Sequence, residues 1–132
     1  MVNKKIKYFD LGNKFKKTQN LFLKEISIAG RKGDFILGSK VKEFENKIKN
    51  FTKSKYVISC ANGSDAIELS LSLLNIKKND EIITTSNTWI SVVNAILNLN
   101  AKPVFVDIDN SLNVDPNKIE KLITKKTKCI II

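Results

Sequence analysis

The sequence has almost no arginine, although it is strongly basic. Of its 23 basic residues only Arg31 is an arginine, and the formal net charge is +10. Recognition of phosphates and base edges favours the forked guanidinium group. The lysines are spread along the exposed faces of predicted helices rather than gathered in one patch. The composition therefore indicates solvated helix faces, and we expect no nucleic-acid partner.

Cysteine and long apolar stretches are also scarce. The two cysteines, Cys60 and Cys129, are too few for a disulfide framework or a metal site. Both lie in apolar runs, which is typical of reduced core residues. No stretch reaches the roughly 18 apolar residues that span a membrane, and the charged residues 1–7 lack the apolar segment of a secretion signal. We expect a cytoplasmic protein without a membrane partner.

Two helices are predicted in the first part of the chain. Apolar residues within 15–29 indicate a moderately amphipathic helix, which Gly30 and Gly33 are expected to end. A clearer helical pattern covers residues 41–51, where apolar residues recur at spacings of three and four with Lys and Glu between them. Ser39 is the predicted N-cap of this second helix.

From residue 56 onward, strand patterns alternate with helical ones. Short apolar runs predict strands at 56–60, 81–85, 102–106 and from about residue 128. Helices are predicted at 66–74, at 88–99 and from Asp115, which Pro116 follows in the first turn. The helix at 66–74 is apolar nearly all round and is expected to be buried. This alternation predicts an α/β fold with a mostly parallel sheet and flanking helices.

The last strand pattern reaches Ile132 without a terminator. We therefore expect the chain to be the N-terminal part of a longer protein, with an incomplete fold. Residues 1–34 are interpreted as an N-terminal arm and helix, and residues 35–132 as the first part of a truncated domain. Ligands of parallel sheets bind beyond the carboxyl ends of the strands. The turns after residues 60, 85 and 106 are therefore the places where a site is expected.

The turn from Asn62 to Ala66 is the first candidate site. Gly63 lets the backbone approach a ligand closely, and the amides of Ser64 and Asp65 at the start of a helix favour an anion such as a phosphate. The alternative is an ordinary capped turn, because Asn, Gly and Ser suit turns for local reasons. The segment matches neither a Walker loop nor a dinucleotide fingerprint, since the lysine and the spaced glycines of those motifs are missing.

Trp89, at the start of the next helix, is the second candidate. An indole just beyond the end of a strand can stack on a flat ring held in the same crevice. The alternative is a tryptophan of the core. The neighbouring polar residues, Ser86, Asn87 and Thr88, can be explained as helix-capping residues alone.

The segment 107–113 has the alternating oxygen ligands of a calcium loop. Such a loop needs glycine at its sixth position and a bidentate glutamate at its twelfth. Leu112 and Lys118 stand there instead. We interpret the segment as a polar connection between a strand and a helix, and predict no metal site in the chain.

Several segments, in a fixed order and spacing, resemble the DegT/DnrJ/StrS family of sugar aminotransferases. The resemblance covers residues 35–132, with a weaker match at 8–11. The segments are FILG at 35–38 with Val41, Phe44 and Glu45; NGSDA at 62–66; DEIIT at 80–84; TWIS at 88–91; AKPVFVDID at 101–109; and Ile119-Glu120, Ile123-Thr124 and Thr127-Lys128.

The resemblance implies a fold and a set of cofactor contacts. The fold is the N-terminal part of the large domain of fold type I transferases, which depend on pyridoxal 5′-phosphate (PLP). By resemblance, Gly63, Ser64 and Asp65 bind the cofactor phosphate, and Trp89 stacks on the pyridine ring. The family's cofactor-binding lysine and the aspartate that pairs with the pyridine nitrogen are expected beyond Ile132. No catalytic residue is therefore assigned in this chain.

The resemblance also implies a reaction. Family members move an amino group, usually from glutamate, to a nucleotide-linked keto-sugar for surface glycan or lipopolysaccharide synthesis, and are generally homodimers. Some relatives are PLP-dependent sugar dehydratases or regulators instead, and this alternative stays open. We expect the 132-residue chain alone to be inactive and poorly soluble.

Overall fold

A computed structural model of the chain describes residues 7–132. The chain divides into two compact units, Met1–Ser59 and Cys60–Ile132. The boundary that the sequence suggested after residue 34 stays a prediction. No helix within residues 7–132 is both long enough and apolar enough to cross a membrane.

The first unit contains helix α1, Leu11–Lys32, which is longer than predicted. It begins because Asp10 caps it, with the side chain accepting a hydrogen bond from the Asn13 amide at 3.3 Å. Gly33 ends it, with φ 65°, a left-handed conformation that glycine adopts without strain. Gly30 was expected to help break the helix and instead lies inside it, because only Gly33 takes the conformation that ends the hydrogen-bond ladder.

Helix α2, Ser39–Thr52, follows in the same unit. Its N-cap is Gly38 and not Ser39, so the predicted cap was wrong by one residue. Ser39 donates its amide to the Asp34 carboxylate at 2.9 Å, and its hydroxyl donates to the same carboxylate. A side chain five residues earlier therefore caps the helix, and Ser39 becomes its first residue.

The second unit is built on a parallel sheet of three strands. In the order β2-β1-β3, these are β2 Lys102–Val106, β1 Glu81–Thr85 and β3 Thr127–Ile130. Helix α3, Gly63–Ser72, precedes β1, and helix α4, Ile90–Asn98, connects β1 to β2. This arrangement confirms the predicted α/β class with a parallel sheet and flanking helices.

The core of this unit lies between the sheet and the two helices. β1 is central, and its Ile82, Ile83 and Thr84 are fully buried. Ile82 belongs to an apolar cluster with residues of α3, α4 and the following turn: Leu71, Val92, Ala95, Ile96 and Ala101. Leu71 is the one buried residue of α3. The expectation that α3 is buried nearly all round was therefore wrong for the described chain, where nothing covers its outer face.

Two predicted elements take another form. Residues 56–60 are not a strand, because no described strand pairs with them; the ladder joins only β2, β1 and β3. The helix predicted from Asp115 is replaced by two 3₁₀ turns, Pro116–Lys118 and Glu120–Leu122. Asp115 does cap the first turn, by accepting a hydrogen bond from the Asn117 amide at 3.0 Å.

The two cysteines differ in environment. Cys129, in β3, is half-buried, and burial raises the pKa of its thiol. Cys60 is exposed. The expectation that both are core residues was therefore wrong for Cys60, because residues 56–60 are not part of the sheet.

Candidate functional site

The start of α3 leaves two backbone amides open. Asn62 is the N-cap, and its side-chain oxygen accepts a hydrogen bond from the Asp65 amide at 3.0 Å. The Asp65 amide, which the sequence offered to an anion, is therefore already used. Among residues 7–132, no acceptor bonds the amides of Gly63 and Ser64. These two amides and the helix dipole make the end of α3 favourable for an anion.

Gly63 faces open space. A Cβ atom built on it would meet no atom of the described chain within 4 Å, and its φ is not in the left-handed range. Neither packing nor backbone conformation therefore requires glycine at this position. The open space does allow a ligand to approach the backbone closely, which is what a phosphate bound by amides needs.

Trp89 is the N-cap of α4 and points away from the core. Its backbone is extended, with φ −70° and ψ 136°, and its side chain forms no capping hydrogen bond. The residue is 76% exposed. In the described chain Trp89 is therefore not a core tryptophan, which leaves its ring face open for stacking.

The first turns of α3 and α4 lie side by side. The Ser64 hydroxyl, on the second residue of α3, donates to the Ser91 hydroxyl, on the second residue of α4, with the oxygens 2.7 Å apart. Trp89 is two residues before Ser91, so their Cα atoms are at most about 7.6 Å apart. The two segments singled out from the sequence therefore meet at one edge of the second unit.

The loop that precedes Trp89 is held by two hydrogen bonds of Asn87. Asn87 donates its amide to the Thr85 hydroxyl at 3.2 Å, and its side-chain nitrogen donates to the Leu112 carbonyl at 3.0 Å. From the sequence alone, Asn87 is explained as a helix-capping residue. Its partner Leu112 is 25 residues away and has a left-handed backbone with φ 65°, so no local pattern signalled the contact.

The segment 107–113 is held by its own polar side chains. Asp109 accepts hydrogen bonds from the amide and the hydroxyl of Ser111, which hold the pKa of its carboxyl below its ordinary value. Asp107 pairs with the Lys118 ammonium at 2.9 Å, and this hydrogen bond lowers the pKa of Asp107. Within residues 7–132 no three acidic, Cys or His side chains form a group suited to a metal ion. Lys118, at the position where a calcium loop has its glutamate, is a salt-bridge partner instead.

The residues of the chain match a known family over most of its length. The model of the DegT/DnrJ/EryC1/StrS aminotransferase family matches residues 16–132. The chain belongs to this family. The family's aminotransferases depend on PLP.

Relatives in the DegT/DnrJ/EryC1/StrS family include an enzyme and a regulator. The chain is 39% identical over 127 residues to the UDP-2-acetamido-2-deoxy-3-oxo-D-glucuronate aminotransferase of Pseudomonas aeruginosa, a match that covers 96% of this chain and 35% of that protein. It is 38% identical over 123 residues to the pleiotropic regulatory protein of Geobacillus stearothermophilus, a match that covers 92% of this chain and 33% of that protein. The chain thus spans about a third of the length of these curated relatives.

A solved structure similar to this chain contains the amino form of the cofactor, pyridoxamine 5′-phosphate (PMP). NtdA from Bacillus subtilis, with bound cofactor PMP, superposes with a TM-score of 0.78 at 33% sequence identity. The match covers 82% of this chain and 25% of NtdA. The similarity in fold is therefore accompanied by similarity in sequence.

The geometry of the two helix starts fits such a cofactor. The open space at Gly63 and the unbonded amides of Gly63 and Ser64 suit a phosphate ester. The exposed indole of Trp89, at the start of the neighbouring helix, suits a flat aromatic ring. The described residues therefore fit both ends of such a cofactor in their chemistry.

Proposed function

We propose that this chain provides the phosphate-binding and ring-stacking elements of a PLP-dependent aminotransferase that acts on a nucleotide-linked keto-sugar. The observation that carries the proposal is the Ser64 to Ser91 hydrogen bond of 2.7 Å, which brings the start of α3 next to the start of α4. Open backbone amides and an exposed indole at two adjacent helix starts suit a ligand that contains both a phosphate and a flat ring.

Each residue has a distinct role in this proposal. The amides of Gly63 and Ser64 and the Ser64 hydroxyl bind the phosphate, Asp65 supports the same turn through its bond to Asn62, and Trp89 stacks on the ring. When bound, the cofactor supplies the electron sink for amino transfer. The residues of this chain fix its position and orientation.

The complete reaction belongs to the same proposal. Glutamate gives up its amino group and becomes 2-oxoglutarate, and the keto-sugar receives the group and becomes an amino-sugar. We further propose a cytoplasmic homodimer that works in surface glycan or lipopolysaccharide synthesis. The aminotransferase relative in Pseudomonas aeruginosa, named for a UDP-linked oxo-sugar acid, supports the substrate class.

The proposal is tested on the protein at its full natural length. With PLP and a nucleotide-linked keto-sugar, 2-oxoglutarate should form from glutamate, and Trp89→Ala or Ser64→Ala should reduce the rate strongly. Ser72→Ala is a suitable control, because the one hydrogen bond of the Ser72 hydroxyl within residues 7–132 goes to the Leu69 carbonyl of its own helix, at 2.7 Å. A rate in Ser64→Ala equal to that of the control would exclude the proposed phosphate contact.

The regulatory relative supports a second candidate, a cofactor-binding protein without turnover. Such a protein would bind PLP and depend on Gly63 and Trp89 but form no 2-oxoglutarate. A sugar dehydratase would likewise bind the cofactor but release water rather than transfer nitrogen. Measuring cofactor binding and, by mass spectrometry, the nitrogen content of the sugar product on one preparation separates both alternatives from an aminotransferase, because only the aminotransferase forms an amino-sugar.

A further inference from the structure

Ser91 is the residue against which the Ser64 hydroxyl is held. Its Oγ lies 2.7 Å from the Ser64 Oγ, and it is half-buried whereas Ser64 is exposed. Within residues 7–132, Ser64 has no other side-chain partner. Ser91 therefore lies behind Ser64, on the protein side of the proposed phosphate site.

When a phosphate is bound, the chemistry of the two hydroxyls determines which one donates and which one accepts. A hydroxyl has one hydrogen to donate and two lone pairs that accept. In the structure Ser64 donates to Ser91. A phosphate offers only acceptors, so the Ser64 hydrogen must turn toward it, and the Ser64 oxygen then becomes the acceptor for the Ser91 hydrogen. A chain of hydrogen bonds of this kind polarises and strengthens the outer bond.

We propose that Ser91 is a positioning residue for the cofactor phosphate, acting through the Ser64 hydroxyl. This inference rests on the proposed function and adds to it a residue outside the phosphate-binding turn. Ser91 fixes the Ser64 oxygen before the ligand arrives and donates to it once the ligand is bound. Trp89 is the N-cap of the helix that contains Ser91. The Ser64–Ser91 hydrogen bond therefore also fixes the distance between the proposed phosphate site and the proposed ring-stacking site.

The pair is not needed to hold the two helices together. Leu71 of α3 packs in one cluster with Val92, Ala95 and Ile96 of α4. Asn98 also bonds the Glu68 carboxylate at 3.4 Å near the far ends of the helices. Removing one hydroxyl at a partly exposed position should therefore leave folding nearly unchanged, so that an effect on ligand binding is readable.

The test uses the protein at its full natural length and two probes that differ only in the phosphate. Pyridoxamine 5′-phosphate and pyridoxamine form no covalent bond to a lysine, so their dissociation constants report the contacts directly. Ser91→Ala should raise the dissociation constant of pyridoxamine 5′-phosphate by roughly three- to tenfold, which corresponds to the loss of one modest hydrogen bond. The dissociation constant of pyridoxamine should stay unchanged. Ser91→Thr keeps the hydroxyl and should restore most of the affinity.

A matched control and a double substitution make the test specific. Ser70→Ala removes a hydroxyl from the same helix as Ser64, one that bonds the Ala66 carbonyl at 2.7 Å, and should change neither constant. In a Ser64→Ala background, Ser91→Ala should have no further effect, because Ser91 acts only through Ser64.

The outcomes separate the two proposals. If Ser64→Ala weakens the phosphate probe while Ser91→Ala does not, Ser91 has no positioning role and the proposed function stands. Equal weakening of both probes, or a Ser91 effect that persists without Ser64, also overturns the inference. If Ser64→Ala leaves the phosphate probe unaffected, the Ser64 hydroxyl does not contact the phosphate and the inference about Ser91 fails. The proposed cofactor site itself fails if the unmodified protein binds the two probes equally well.

Discussion

At the scale of single residues, Gly63 is a position where a substitution should affect ligand binding but not folding. Its Cβ position is open, so Gly63→Ala should leave the free energy of unfolding nearly unchanged. The added methyl group would occupy the approach to the open amides. We expect pyridoxamine 5′-phosphate to bind about tenfold more weakly, about 1.4 kcal/mol, as measured by calorimetric titration.

Gly12→Ala is the control for this substitution. Gly12 is the second residue of α1, and its nearest neighbour to a built Cβ is the Asp10 Oδ1 at 4.0 Å. Unchanged ligand affinity is expected in this variant. If Gly63→Ala unfolded the protein instead, glycine would be needed for the fold, and the inference from open space would be wrong.

Alanine substitutions at Gly38 and Gly30 are predicted to change the free energy of unfolding in opposite directions. A Cβ on Gly38 would lie 2.2 Å from the Asp34 Oδ1 and 2.8 Å from the Asp34 carbonyl oxygen. Gly38→Ala must therefore displace the carboxylate that caps α2, and should destabilise by about 1–2 kcal/mol. Gly30 lies inside α1, where a Cβ meets Phe35 at an ordinary 3.6 Å. Gly30→Ala should stabilise by about 0.5–1 kcal/mol.

Denaturant unfolding of the two variants at the full natural length measures this difference directly. The free energies of unfolding should move in opposite directions relative to the unmodified protein. Destabilisation by both substitutions would mean that α1 tolerates no side chain at residue 30 in the complete protein.

Sequence reasoning reached some of the candidate residues and missed others for a physical reason. Gly63 and Trp89 follow strand-like runs and are marked by local turn and aromatic patterns, so they could be singled out. Ser91 and Asn87 are defined by partners 27 and 25 residues away. Only the tertiary fold brings such pairs together, and no local pattern indicates them.

At the scale of elements, Glu43 on α2 gives a prediction about pH. Hydrogen bonds from Lys47 and then Lys40 lower the pKa of Glu43 from 4.5 to about 2. Because the pKa in the folded protein is the lower one, the stabilisation from these pairs is present above pH 4.5 and is lost as the pH falls toward 2. Glu43 is half exposed, with 46% of its side chain accessible, so salt should screen the effect.

NMR titration of the Glu43 carboxyl carbon tests this prediction. At low ionic strength its midpoint should lie well below 4.5, and at high salt it should move upward toward that value. Lys47→Met should raise the pKa by removing the largest contribution. A midpoint at the ordinary value in low salt would show that the Lys47 and Lys40 contacts do not form in solution.

The predicted elements succeeded where a local pattern and a tertiary partner agreed. β1 is apolar, is central in the sheet and was predicted at its observed bounds. Residues 56–60 have a similar pattern but lack a paired strand in the described chain, because sheet ladders depend on distant segments. The region after Asp115 has a good cap and first-turn proline, yet forms short 3₁₀ turns, as marginal helices do without packing on a buried face.

At the scale of the whole molecule, the described chain leaves much apolar surface uncovered. Strands β2 and β3 are both edges of the sheet, and Ile58, Leu73 and Trp89 are among the exposed apolar residues. Unpaired strand edges and large apolar patches promote association. We therefore expect the 132-residue chain, expressed alone, to aggregate and to show no transaminase turnover.

Size-exclusion chromatography and thermal unfolding of the isolated chain check this expectation. A monomer with one cooperative unfolding transition would contradict it, and so would 2-oxoglutarate formation from glutamate with PLP. The first result would mean that the two units are stabilised by their own cores alone. The second would mean that one of the chain's own lysines serves the reaction.

The central claim is that the turn at Gly63 and the indole of Trp89 bind one and the same cofactor. Trp89 is the only tryptophan of this chain, so its emission can be isolated as the difference between the full-length protein and its Trp89→Phe variant. On titration with pyridoxamine 5′-phosphate, this difference emission should be quenched, and Gly63→Ala should shift the titration to higher ligand concentration. Emission from Trp89 that stays constant while the phosphate ester binds would contradict the account.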